Sequence, residues 1–129
     1  MKILAMVLAL STTSAFAQRY ASLNCAVKNP CQYSKSHDLG YCVGNTTLRI
    51  NDRGPRGYFS HLVVGKSSGL GGELMRLAAD IPVQFANNNT VVTGTIDHGD
   101  TYVRLALRPQ GFAGVLTLEQ DFAFEILCK

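Results

Sequence analysis

Arg49, Arg53 and Arg56 crowd around the stretch Asp52-Arg53-Gly54-Pro55-Arg56-Gly57, and Tyr58 and Phe59 follow directly. A guanidinium binds carboxylate or phosphate through two parallel hydrogen bonds, and an aromatic ring adds a stacking face. Arg49, Arg53, Arg56 and Tyr58 therefore form the candidate contact site for an unknown protein partner, a glycan or a small anionic ligand.

Other constellations resolve into plainer roles. Asp97-His98-Gly99-Asp100 sets two carboxylates and an imidazole close together, a donor set that suits a hard cation or zinc. The same residues are what a tight hairpin asks for, so we expect a solvated turn and no metal. His37-Asp38 is expected to be exposed. His61 lies within a strand and, if it faces inward, is expected to be a hydrogen-bonded core residue. Gly65-Lys66-Ser67-Ser68-Gly69 matches G-x-S-x-G, the pattern of a nucleophile elbow, with Asp97 and His98 later in the chain. That chemistry needs Ser67 on a sharp strand-to-helix turn. Leu70-Gly71-Gly72 starts a helix poorly, and the chain is too short for the sheet such a site requires. The tripeptide Gly65-Lys66-Ser67 is no phosphate loop either, because Ser60 stands where that motif needs glycine. A small hydrolase using Ser67 or a metal at Asp97 and His98 is thus the least favoured reading; no enzyme and no cofactor is expected. Asn45-Thr46-Thr47 and Asn88-Asn89-Thr90 satisfy the glycosylation pattern, which has meaning only in a eukaryotic secretory pathway.

Four cysteines, Cys25, Cys31, Cys42 and Cys128, leave none unpaired. We expect Cys31–Cys42 to close a short loop and Cys25–Cys128 to tie the first strand to the last. The C-x5-C-x10-C spacing has no CxxC knuckle, which argues against zinc. An oxidising compartment agrees with the start of the chain. Met1-Lys2 gives a positive end, Ile3 to Leu10 an apolar run, and Ala15-Phe16-Ala17 a small-residue cleavage site. Residues 1–17 read as a secretory signal peptide, and the run is too short to span a bilayer. The remaining 18–129 read as a single domain, secreted or periplasmic, with no transmembrane segment. Of the 129 residues, 47% are hydrophobic and 16% charged, and the formal net charge is +3. That balance fits a folded globule and requires no nucleic-acid partner.

The elements that must position these residues read as strands. Thr46–Asn51, Tyr58–Val64, Thr90–Asp97, Thr101–Arg108, Phe112–Leu118 and Phe122–Cys128 alternate apolar and polar residues between Gly, Asn, Asp and Pro punctuation. Glu73–Ala86 begins like a helix, but Pro82 ends one, and Leu77, Ala79, Ile81, Val83 and Phe85 alternate instead. We read it as a strand with a bulge near Pro82. The predicted fold is all-β: a small antiparallel β-barrel or β-sandwich of about seven or eight strands, disulfide-bonded. The expected function is that of an exported non-enzymatic binding or structural protein. A secreted enzyme inhibitor, presenting Asp52–Gly57 or Asp97–Asp100 as a rigid loop, is the first alternative. If the sheet closes, storage of an apolar ligand inside it is another.

Overall fold

The computed structural model describes residues 20–36, 38–51, 55–67 and 72–129. The expected leader, 1–17, lies outside them, as do His37, Arg53 and the segment 68–71. Nine strands follow in chain order: β1 (Tyr20–Val27), β2 (Cys31–Ser34), β3 (Leu39–Asn51), β4 (Arg56–Ser67), β5 (Gly72–Ala86), β6 (Val91–Ile96), β7 (Thr101–Arg108), β8 (Gly111–Leu118) and β9 (Phe122–Cys128). A 3-10 turn, Asp97–Gly99, joins β6 to β7.

Consecutive strands from β3 to β9 pair antiparallel, and β1 pairs with both β9 and β3. The sheet thereby closes into an eight-stranded barrel with β2 as an extra strand, and the choice between barrel and sandwich is decided. β3 gives one edge to β4 along most of its length. Its other edge is shared, with β2 along Leu39–Cys42 and β1 along Thr47–Asn51. The Gln32 side-chain amide donates to the carbonyl of Ala123 on β9. Strands β1 and β2 thus act as two halves of one interrupted strand between β3 and β9.

Alternation decides what lies inside. In β9, Phe122, Phe124, Ile126 and Cys128 point inward and are buried, while Ala123 and Glu125 between them are exposed. Phe59, Phe124, Leu48, Ile81, Leu105 and Leu116 meet across the middle and are essentially inaccessible. Full burial of such side chains contributes about 1.5–3 kcal/mol each before entropy is subtracted. An eight-stranded barrel has an interior just wide enough to be filled this way. These inaccessible side chains occupy the space that apolar storage at the middle of the barrel would need.

β7 and β9 match their expected spans. β3 and β4 run longer than expected, and β3 carries a register shift between Gly44 and Thr47. That irregularity puts Asn45 in left-handed geometry and turns the buried Thr46 hydroxyl onto the Cys25 carbonyl at 2.6 Å. Glu73–Ala86 is strand, but its bulge is not at Pro82. Gly65 pairs with Met75 and Lys66 with Glu73, leaving Leu74 as the extra residue. Pro82 pairs regularly with Tyr58 because its missing N–H faces the other way. The Phe85 amide points toward the β4 side, reaching the Pro55 carbonyl at 2.7 Å, so Gln84 and Pro82 face β6. There the ladder runs only from Ala86 to Gln84. Gly94 lies against the Pro82 carbonyl so closely that a Cβ would sit 2.3 Å from that oxygen.

Both expected disulfides are present, and each joins directly opposed residues: Cys25 with Cys128 and Cys31 with Cys42. The first lies at the inner wall, where Cys128 is fully buried; the second stands on the exposed side of β2.

Candidate functional site

The filled barrel leaves a cavity of about 250 Å³ at one mouth. Its walls come from inward positions near strand ends, where alternation continues but the barrel no longer closes overhead. Val63, Met75, Leu77, Ala79, Ile96 and Leu118 give an apolar wall. Tyr41, His61 and Thr101, all buried, add polar groups, and Asp97, Asp100 and Glu119 stand at the rim. Among the described residues, no lysine or arginine lines it.

The hairpins fix the acids. Asp97 and His98 (φ 55° and 56°) and Glu119 and Gln120 (φ 53° and 62°) all adopt left-handed geometry without being glycine. Each such residue costs about 1 kcal/mol or more and persists only where its surroundings hold it. Here the two turns brace one another: the Gln120 amide donates to the Asp100 carbonyl at 3.2 Å, and its side chain to the Asp100 carboxylate at 3.3 Å. Glu119 accepts the Tyr41 hydroxyl at 2.5 Å. The Tyr41 ring in turn meets Phe122 edge to face, 4.9 Å between centroids.

Burial, then the hydrogen bond and charge of Glu119, push the Tyr41 phenol up to about 12. It is a fixed hydrogen-bond donor across ordinary pH. His61 is only 4% exposed, and its Nδ1 has no hydrogen-bond partner among the described residues. Burial holds it below its ordinary value, against a weaker opposing pull from Asp80. Expected as a satisfied core histidine if inward-facing, it faces inward without that satisfaction.

The arginine cluster lies elsewhere, on the barrel's outer face. Arg49 and Tyr58 are cross-strand neighbours, with the guanidinium 5.5 Å from the ring centroid. Arg49 also donates to Ser60 at 3.2 Å and pairs with Asp80 at 3.5 Å. Arg56 and Tyr58 border an outer groove with Asn51, Pro82 and Gln84, of about 430 Å³. Arg49 does not line that groove, so the cluster divides in two. Ser67 is the last residue of β4 and donates to Asp38 at 3.1 Å; the residues that would form an elbow after it, 68–71, lie outside the described residues. His98 is exposed. Among the described residues no group of three or more His, Cys, Asp or Glu could hold a metal ion, and no helix is long and apolar enough to cross a membrane.

Sequence reasoning missed the mouth because its residues are distributed over the whole chain; Tyr41 and Glu119 are 78 positions apart. The available signal was parity: Phe59, His61 and Val63 share one face of β4. Comparison of the chain with protein-family models, with curated proteins and with solved structures found no match.

Proposed function

We propose that this chain is a non-catalytic binding protein, exported to an oxidising compartment, whose barrel mouth takes a small organic cation with an apolar body. One observation carries the reading: three carboxylates and, among the described residues, no lysine or arginine line an apolar cavity in a protein whose net charge is positive. Disulfides persist where thiols are not kept reduced, which supports the compartment. A cavity of about 150 Å³ can accept benzene, so about 250 Å³ suits an aromatic ring with a short amine-bearing tail. The ring would lie against Leu77, Ile96 and Leu118, and the ammonium would meet Asp97, Asp100 and Glu119.

Titration calorimetry with phenethylamine and with the carboxylic acid of matching shape tests this. The amine should bind and the acid should not. Glu119→Gln and Asp97→Asn should each weaken the amine about tenfold, the scale of one hydrogen bond to a charged group. Equal binding of the two probes, or of neither, would overturn the reading.

A second reading keeps the outer groove as an anion or glycan contact. It is favoured by Arg56, which is exposed and in no ion pair among the described residues. Binding of a sulfated glycan that disappears in Arg56→Ala would support it.

A further inference from the structure

Strand β5 projects past the barrel. Its ladder with β4 runs from Gly72 to Gln84, but its ladder with β6 covers only Gln84–Ala86. Beyond Gln84, no strand among the described residues pairs with its second edge. Backbone alternation from Phe85, whose amide faces β4, turns the N–H and C=O groups of Asp80, Ala78 and Arg76 toward that open edge. The same short stretch holds Leu74, Met75 and Leu77, exposed by 49%, 40% and 54%, three of the seven exposed large hydrophobic side chains among the described residues. An open edge beside exposed apolar groups is a template for another strand.

We propose that the partner is a second copy of this chain, added antiparallel about a two-fold axis at Ala78. In that register Ala78 faces Ala78 of the second copy, and Arg76 faces Asp80 twice. These three are the positions whose backbone groups face that edge, so in this register every facing pair would exchange two hydrogen bonds. On the outer face two opposite-charge contacts form by symmetry. Asp80 stands between Arg49 of its own chain and Arg76 of the other copy, while the exposed Arg76–Glu73 pair, 3.1 Å apart, yields at little cost. On the inner face Leu77 comes to lie beside Ala79 of the second copy. A two-fold interface is self-complementary, and this one uses the same edge of both copies, so it closes on itself.

Sedimentation velocity and light scattering on the disulfide-bonded full chain should find a dimer. Ala78→Pro removes an N–H that faces the open edge and leaves the β4 ladder intact, so the dimer should dissociate about tenfold or more readily. Arg76→Asp should weaken it by about tenfold, and Arg76→Asp with Asp80→Arg should restore it. Should Ala78→Pro not fold, mild oxidation of Ala78→Cys reads the same contact, since paired Cα atoms about 5.5 Å apart lie within disulfide reach. A chain that stays monomeric, a dimer indifferent to both single substitutions, failure of the double reversal to rescue, or absence of the crosslink would each overturn the proposal.

Discussion

His61 is held neutral in a place where one of its nitrogens has lost water and gained nothing. A buried polar atom left so costs about 1–3 kcal/mol. Its folded value is depressed, so near and below 6.5 the unfolded chain takes up a proton that the folded chain refuses. The stability from its neutral burial is complete above 6.5 and is lost as pH falls toward the lower folded value. His61→Leu should therefore gain about 1 kcal/mol near neutral pH, and its advantage should widen on acidification. Urea denaturation of both proteins at about pH 7 and about pH 5 compares the slopes, with the carboxylates common to both. A narrowing gap would contradict the assignment. Tyr41 works in the opposite direction. Its phenol is raised from 10.0 to about 12, so its contribution is whole below 10.0 and declines as pH climbs toward 12. Ultraviolet titration should show one phenol ionising late, and that step should vanish in Tyr41→Phe. Glu119→Gln should bring it earlier, because the acceptor's charge is one of the causes.

Among the elements, the β5–β6 junction is one of the two thinnest parts of the wall. Three residue pairs form it, against the ladder that β5 makes with β4 from Gly72 to Gln84. Gly94 permits what closeness remains. A Cβ there would sit 2.3 Å from the Pro82 carbonyl and 2.8 Å from the Val83 side chain, and the first obstacle is backbone that cannot swing aside. Gly94→Ala should cost about 2 kcal/mol or more through overpacking and strain. Thermal unfolding measures it, and an unchanged midpoint would show that β6 has room to move. Strands β7 and β9 were legible residue by residue because their inward and outward faces differ sharply, as in Val103 and Leu105 against Tyr102 and Arg104. β3 was legible only from Thr46, since the register shift after Gly44 reverses which parity points inward. The bulge of β5 was misplaced for a related reason. Proline signals a missing donor, but only pairing tells which neighbour misses it. Cross-strand contacts such as Arg49 with Tyr58 were half visible, through residue type and proximity in sequence. The mouth was not visible at all, because closure assembles it from turns that no local pattern connects.

At the scale of the whole molecule, a barrel is as stable as its least secure seam. Two seams are short: β5 with β6, and β1 with β9, where three residue pairs are supplemented by Lys28 to Glu125 and Lys129 to Asn24 backbone bonds at 3.0 Å. The Cys25–Cys128 bridge spans the second and links residues 103 apart; Cys31–Cys42 spans 11. In the chain-entropy account a closed loop of about 100 residues restrains the unfolded chain by nearly 5 kcal/mol, and one of about a dozen by about 3. Replacing Cys25 and Cys128 together by Ser should therefore destabilise more than replacing Cys31 and Cys42. The location of the loss is the sharper expectation. With both bridges intact, local opening should concentrate at the unbridged seam, so backbone amides of β6 that bond to β5 should exchange hydrogen faster than those of β4 that bond to β5. Without Cys25–Cys128, amides along β1 and β9 should join them, while the β4–β5 hairpin keeps its protection relative to the rest. Without Cys31–Cys42, only the β2 half of the interrupted strand should loosen. Native-state hydrogen exchange on the three proteins separates these patterns, and uniform loss of protection would mean that the barrel opens as one unit rather than along its seams.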